Sequence, residues 1–390
     1  MHPFNKNVSI WFFSLFITFS QANAQETEIT TPPAPAIAAS AYFLEDFHTG
    51  KILAESNADV RLAPASLTKI MTAYVIFREL SNGHLHLDDI VTISEKAWNT
   101  SGSRMFLEIG NQVKVEDLLH GVIIQSGNDA SVALAEHVAA DEETFADMMN
   151  QHAARLGMNN SHFRNSNGLP TPDHYTTARD LAILTTAVIK EFPEYYRWFS
   201  QKEFTFNKIT QQNRNKLLSR DESVDGVKTG FTDDAGYCLV ASALREDMRL
   251  ISVVMGTKSA IARANENQTL INYGFRFYES HRMYEGNKPL NEPRIWKGSS
   301  KTIALGLTED LYATIPRRPY SDLKTVINTD TKIMAPIAEH TKLGSVKVTL
   351  KDVLIIEKDL VALQEVEKGN IFNNLIDSVL LMLEKSDNGK

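Results

Sequence analysis

The chain has 390 residues, 43% of them hydrophobic and 23% charged, with a formal net charge of −8. That length exceeds what one core usually holds, so two or three domains are expected. The acidic balance argues against a nucleic-acid partner, which needs a basic face, and the single cysteine, Cys238, excludes an intramolecular disulfide.

Lys6 precedes an apolar run over residues 8–19 that no charge interrupts, and Ala22-Asn23-Ala24 then gives a small-x-small pattern. Residues 1–24 therefore read as an export signal. The run is too short to span a bilayer, which needs about 20 apolar residues. Residues 25–40 are rich in Thr, Pro and Ala and read as a disordered tether. A strand pair follows, residues 41–44 and 52–54, around a polar turn through His48-Thr49-Gly50. From Pro64 to about Lys190 the pattern is helical. Residues 115–124 are periodic, Thr144 looks like the N-cap of a helix over 145–156 that Gly157 stops, and Thr177-Ala178-Arg179-Asp180 resembles a capping box. Residues 237–243 and 250–255 are short apolar strand patterns, and 261–277 is helical again. Strands on both sides of a helical insert predict an α/β domain with an all-helical lobe over residues 41–283.

The texture changes after residue 284. Short β-type runs at 303–305, 312–315, 347–350 and 353–356 alternate with Gly, Pro and charged turns, which predicts a small all-β domain over 284–366. In the tail, 367–390, the residues Ile371, Phe372, Leu375, Ile376, Val379, Met382 and Leu383 form one apolar helical stripe.

The chemistry starts at Ser66-Leu67-Thr68-Lys69, just after Pro64, a residue favoured in a first helical turn. At i and i+3 a hydroxyl and an amine share a helix face, near the positive end of the helix dipole. A serine hydroxyl needs a base to become nucleophilic. Lysine serves only if desolvation or a neighbouring cation lowers its pKa from about 10.4. A lone Ser-x-x-Lys is weak evidence, because Ser321-Asp322-Leu323-Lys324 repeats it in a polar stretch of the β-rich region. The first copy has company: Ser126-Gly127-Asn128 between two helical patterns, and Lys228-Thr229-Gly230 at the start of a strand pattern. There the glycine admits a substrate backbone and Lys228 offers the second cation that Lys69 needs. Ser386-Asp387-Asn388 also fits Ser-x-Asn, but it follows Lys-Thr-Gly and reads as a decoy.

Ser-x-x-Lys, Ser-x-Asn and Lys-Thr-Gly in this order are the signature of penicillin-recognising serine acyltransferases. With Pro64 to Ala73, Ile124 to Ala130, Asn167-Gly168-Leu169, Tyr175 to Asp180, Gly226 to Gly230 with Ala235-Gly236-Tyr237-Cys238, and Leu360-Val361-Ala362, the chain resembles the low-molecular-mass penicillin-binding proteins of the D-alanyl-D-alanine carboxypeptidase type (peptidase S11). The resemblance covers roughly residues 41–366. It implies a penicillin-recognising serine transpeptidase-like fold with Ser66 as acyl-forming nucleophile and Lys69 as its base. Ser126, Asn128 and Lys228 would complete the proton network. The backbone N–H groups of Ser66 and Phe231 would form the oxyanion hole beside Gly230. Thr229 and Arg263 would take the substrate carboxylate. Substrates would be peptidoglycan stem peptides, β-lactams would acylate the same serine, and no cofactor or metal is implied. Relatives often attach to the outer face of the inner membrane through such a tail, which places the chain in the periplasm. This tail lacks their usual basic face. Phe231 also departs from the pattern, since many relatives have histidine there, and Asn167 stands where some have histidine.

Other features read as structural. The His84, His86, Asp88, Asp89 cluster fits a hydrophilic turn better than a metal site. Cys238 reads as a buried thiol, and Phe192, Tyr195, Tyr196, Trp198 and Phe199 as core. A β-lactamase, a D,D-endopeptidase and a noncatalytic cell-wall-binding protein are the rival readings. The tail's rival is packing on the β domain.

Overall fold

The computed structural model describes residues 31–317 and 320–387. The export signal, the first part of the tether and Asn388 of the decoy motif lie outside the described residues. Residues 32–40, expected as tether, have no regular secondary structure but touch the domain. Tyr273 donates its hydroxyl to the Pro32 carbonyl at 2.9 Å, Ser40 N–H donates to the Met255 carbonyl at 2.9 Å, and Ile37 and Ala39 pack on the core.

The N-terminal hairpin, β1 (Ala41–Asp46) and β2 (Ile52–Ser56), is closed by Asp46, whose carboxylate accepts from the Thr49 N–H at 2.9 Å and its hydroxyl at 2.8 Å. The chain then leaves the sheet for the helical lobe and returns as β3 (Val224–Thr232), β4 (Gly236–Arg245) and β5 (Met248–Thr257). The five strands pair antiparallel in the order β2-β1-β5-β4-β3, which leaves β3 at an edge. Side-chain alternation divides their apolar residues between two cores. Phe43, Val240, Ile251 and Val253 face the lobe, while Leu44, Leu239, Leu250 and Val254 face the C-terminal helix of the domain. Burial on both faces is why β5 reads as a nearly continuous apolar run.

The lobe is built round α1 (Thr68–Ser81), buried from Thr68 through Phe77 and therefore apolar on nearly all sides. The pattern over 115–124 divides into α2 (Val115–His120) and a π-helical turn, Gly121–Gln125, that delivers Ser126 in a left-handed conformation. Then come α3 (Asn128–Ala139), α4 (Glu142–Leu156) and α5 (Ala178–Glu191). Asp141, not Thr144, caps α4: it accepts the Thr144 N–H at 2.8 Å, because its extended backbone places its carboxylate just before the first turn, where free N–H groups begin. Gly157 ends α4 at φ +81°, and Thr177 caps α5 as expected, accepting from the Asp180 N–H at 3.1 Å. The Phe192–Phe199 aromatics are core, packed around Phe77. Cys238 is a buried free thiol.

Helix α6 (Ala260–Phe277) covers the second sheet face and runs straight into β6 (Tyr278–Tyr284). The β-rich region thus begins at Tyr278 rather than at 284, since β6 pairs with a strand of that region. It contains β7 (Leu305–Gly306), β8 (Leu311–Pro316), β9 (Leu323–Thr329), β10 (Lys342–Leu350) and β11 (Val353–Ala362), with β6 against β8 and a sheet ordered β7-β11-β10-β9. At its joint with the first hairpin, His48 stacks on Tyr312 at 3.9 Å and Lys51 donates to the Thr314 carbonyl at 2.9 Å.

The tail forms α7 (Ile371–Asp387). Its polar side is clasped to the β-rich region, where Asp377 accepts from the Lys297 N–H at 2.6 Å and from Arg294 at 2.8 Å. Ile371, Phe372, Leu375, Ile376, Val379 and Met382 are exposed. Contact with the β-rich region and an open apolar stripe therefore coexist. The side chain of Leu383, also expected in the stripe, lies outside the described residues.

Candidate active site

Ser66 sits in a 3-10 turn, Ala65–Leu67, immediately before α1. Ala65 at φ +48° bends the chain so that Ser66 is partly exposed while Leu67 and Lys69 turn inward. Gly168 closes this turn from the other side. At φ +85° it lies against the Ala65 carbonyl, and a Cβ there would collide with that backbone.

Lys69 is 1% exposed. Its amine donates to Ser66 Oγ at 3.1 Å, to Asn128 Oδ1 at 2.7 Å and to the Asn167 carbonyl at 2.5 Å. Burial pushes this amine down to about 7, the Arg214 guanidinium adds to the effect, and Asp129 and Glu142 oppose it. An ammonium would fill all three contacts. The neutral amine keeps two donors, which suits the two amide oxygens, and turns its lone pair to the serine hydroxyl.

Ser126, in left-handed backbone geometry at φ 63°, presents its hydroxyl to the second lysine. Lys228 Nζ donates to Ser126 Oγ at 2.8 Å and to the Thr229 carbonyl at 3.1 Å. Burial, then Lys69, Arg214 and Arg263, hold Lys228 well below its ordinary range. The two buried amines disfavour each other's charge, which is the part the sequence gives to Lys228. For Lys69 burial comes first, and Arg214 adds positive charge. Arg214 carries no motif and is silent in the sequence.

Two sets of contacts around the second motif lack sequence signals. Asn128 donates Nδ2 to the Ser101 carbonyl at 2.6 Å, and its N–H donates to the Ser103 carbonyl at 2.7 Å, which locks the 101–103 loop over the motif. Next to it, the buried Asp129 carboxylate accepts the N–H groups of Met105 at 3.0 Å and Leu107 at 3.2 Å. The residue types were visible; their partners were not.

These side chains open on a cavity of about 550 Å³ between the lobe and edge strand β3. Ser66, Ser126, Asn128, Thr229, Gly230 and Phe231 line it, together with Arg214 and Arg263. Lys69 and Lys228 stand behind the two serines. A cavity of about 590 Å³ at the joint with the β-rich region contains neither lysine–serine pair. The motif order and this convergence match a known pattern. Residues 27–259 fit the model of the D-alanyl-D-alanine carboxypeptidases, peptidase S11, and residues 278–368 fit that of the penicillin-binding protein 5 C-terminal domain.

The chain belongs to the S11 D-alanyl-D-alanine carboxypeptidase family.

It is 42% identical over 374 residues to the D-alanyl-D-alanine carboxypeptidase DacA of Escherichia coli, covering 93% of each chain, and 44% identical over 359 residues to DacC of the same species, covering 90% of each. The crystal structure of penicillin-binding protein 5 from Haemophilus influenzae superposes with a TM-score of 0.81 at 41% identity, over 87% of this chain and 100% of that one. The ampicillin-bound penicillin-binding protein D2 of Listeria monocytogenes superposes with a TM-score of 0.58 at 30% identity, over 62% of this chain and 100% of that one. The protein is thus a serine-type, penicillin-binding D-Ala-D-Ala carboxypeptidase.

In this carboxypeptidase the cavity's far wall is aromatic and cationic. Phe231 is 47% exposed, with its ring 4.2 Å from that of Tyr237. Arg263 is buried, which excludes a solvated helix-face arginine. It donates to the Gly230 carbonyl at 2.8 Å and lies 5.6 Å over the Tyr237 ring. Asn167 contributes its carbonyl to Lys69, and its side chain accepts the Leu169 N–H at 2.9 Å.

Proposed function

We propose that this carboxypeptidase removes the terminal D-Ala of peptidoglycan stem pentapeptides through an ester on Ser66. The observation that carries the reading is the 3.1 Å contact between Ser66 Oγ and a fully buried lysine amine held down to about 7. Neutral Lys69 takes the Ser66 proton as Oγ attacks the carbonyl carbon of the penultimate D-Ala. The oxyanion is received by the N–H groups of Ser66 and Phe231, donors that are typically worth several kcal/mol in a transition state. The C–N bond breaks as the proton held by Lys69 is relayed through the Ser126 hydroxyl, beside Lys228, to the departing D-Ala amine, which leaves Lys69 neutral again. Thr229 and Arg263 receive the terminal carboxylate, for which a guanidinium fork is well suited. Water then attacks the ester, neutral Lys69 accepts a proton from it, and that proton passes to Ser66 Oγ as the ester C–O bond breaks. A β-lactam follows the same first step.

Release of D-Ala from a pentapeptide, with Ser66→Ala as control, tests this. Fluorescent penicillin should label the unaltered chain and not the variant. Labelling that persists without Ser66 would refute the assignment.

The N-terminal signal pattern and the open stripe of α7 support an exported, periplasmic enzyme held on the outer face of the inner membrane. Among the described residues no helix is long and apolar enough to cross a membrane. Deleting residues 371–390 should move the protein to the soluble fraction; unchanged fractionation would sink the anchoring role.

A further inference from the structure

One carboxylate near the base belongs to none of the three motifs. Glu142 opens α4, largely buried, and points at the loop that carries Asn167. Its Oε1 accepts the Ser166 N–H at 3.0 Å, the Ser166 hydroxyl at 2.7 Å and Asn167 Nδ2 at 3.2 Å, while Oε2 pairs with Lys96 at 3.3 Å. The segment it grips faces α1 twice: the Ser166 carbonyl accepts from Thr72 Oγ1 at 2.5 Å, and the Asn167 carbonyl accepts from Lys69 Nζ at 2.5 Å.

We propose that Glu142 is a positioning residue for the base, pinning the Ser166–Asn167 segment so that the Asn167 carbonyl aims the Lys69 amine at Ser66. The inference rests on the assignment of Ser66 and Lys69 made above. A neutral amine can rotate about its Cε–Nζ bond, so it needs two fixed acceptors to direct its lone pair. Asn128 Oδ1 is one, itself held by the Ser101 carbonyl. The Asn167 carbonyl is the other, and its placement depends on Glu142.

Glu142 also acts through charge. Facing Lys69 are Arg214, Lys228, Asp129, Glu142 and His174. Burial drives His174 down to about 4, so it stays uncharged above pH 5. Arg214 favours the neutral amine, whereas Asp129 and Glu142 favour the ammonium. Removing the Glu142 charge therefore lowers the pH at which Lys69 becomes a base.

The full chain is compared with Glu142→Gln and Glu142→Ala by the rate of Ser66 acylation with a fluorescent penicillin from pH 5 to 9. Gln keeps an acceptor and loses the charge. Its acid limb should move to lower pH, giving roughly threefold more of its plateau rate at pH 6 than the unaltered chain, with the plateau retained. Ala loses the clamp, and its plateau should fall about tenfold in the acylation step, with little change in penicillin affinity. Should both variants share the unaltered acid limb and plateau and differ only in thermal midpoint, Glu142 is merely structural and the proposal is overturned. Absence of Ser66 labelling in the unaltered chain would instead overturn the nucleophile assignment, and this inference with it.

Discussion

The chain holds Ser-x-x-Lys twice, and the two copies have opposite fates. Ser66 and Lys69 lie across the junction of a 3-10 turn and α1, so the i, i+3 spacing closes into a 3.1 Å contact. Ser321 lies in a 3-10 turn too, but Lys324 is already in strand β9, where its amine meets Asp352 at 2.8 Å and its side chain is 65% exposed. Burial lowers one lysine to about 7, while a hydrogen bond to Asp352 holds the other above its ordinary range. Spacing thus supplies proximity only on a helix, and basicity at neutral pH comes from the surroundings.

Replacing the base should break the comparison most sharply. Lys69→Met removes the proton acceptor, and acylation by fluorescent penicillin should fall by about 10²–10⁴-fold, whereas Lys324→Met should leave that rate unchanged. Arg214→Met should have a smaller effect, visible through pH. Without that cation the Lys69 ammonium is less disfavoured, its pKa rises, and the acid limb of acylation moves to higher pH. At pH 6 the rate should fall roughly three- to tenfold against the plateau, and an unmoved limb would leave burial as the whole cause. Phe231→Ala tests whether the first copy relies on backbone or side chain at this position. The N–H survives the change, so acylation should stay within about twofold. Loss of the Tyr237 contact should cost about 0.5–1.5 kcal/mol of stability, read as a lower thermal midpoint. Ser321→Ala should have the least effect, with no change in D-Ala release, labelling or midpoint.

Much of the site was legible because its chemistry is written in short motifs. Ser66, Lys69, Ser126, Asn128 and Lys228 do converge, and Thr229, Gly230, Phe231 and Arg263 line the same cavity. Arg214, Glu142 and Asp129 escaped notice because they act through distance, burial and backbone contacts that no local pattern encodes. Helix patterns located the lobe. The exact ends moved where capping chemistry decided them, as at Asp141, or where a π-helical turn replaced α geometry before Ser126. The β-rich region began early because helix α6 passes into strand β6 without a Gly or Pro to mark the change.

Strand β3 ends the five-stranded sheet, with Lys-Thr-Gly on it and the nucleophile turn alongside. An unpaired strand edge offers the N–H and C=O groups of alternate residues along a backbone rising about 3.3–3.4 Å per residue, a ruler for main chain rather than side chain. A terminal alanine adds little to such a reading, since its methyl is worth only about 0.8 kcal/mol when buried. On the proposed function, discrimination at this edge falls on stereochemistry: inverting one Cα swings the following carboxylate and carbonyl out of register with the ruler, and that mismatch separates a D-residue from its mirror image.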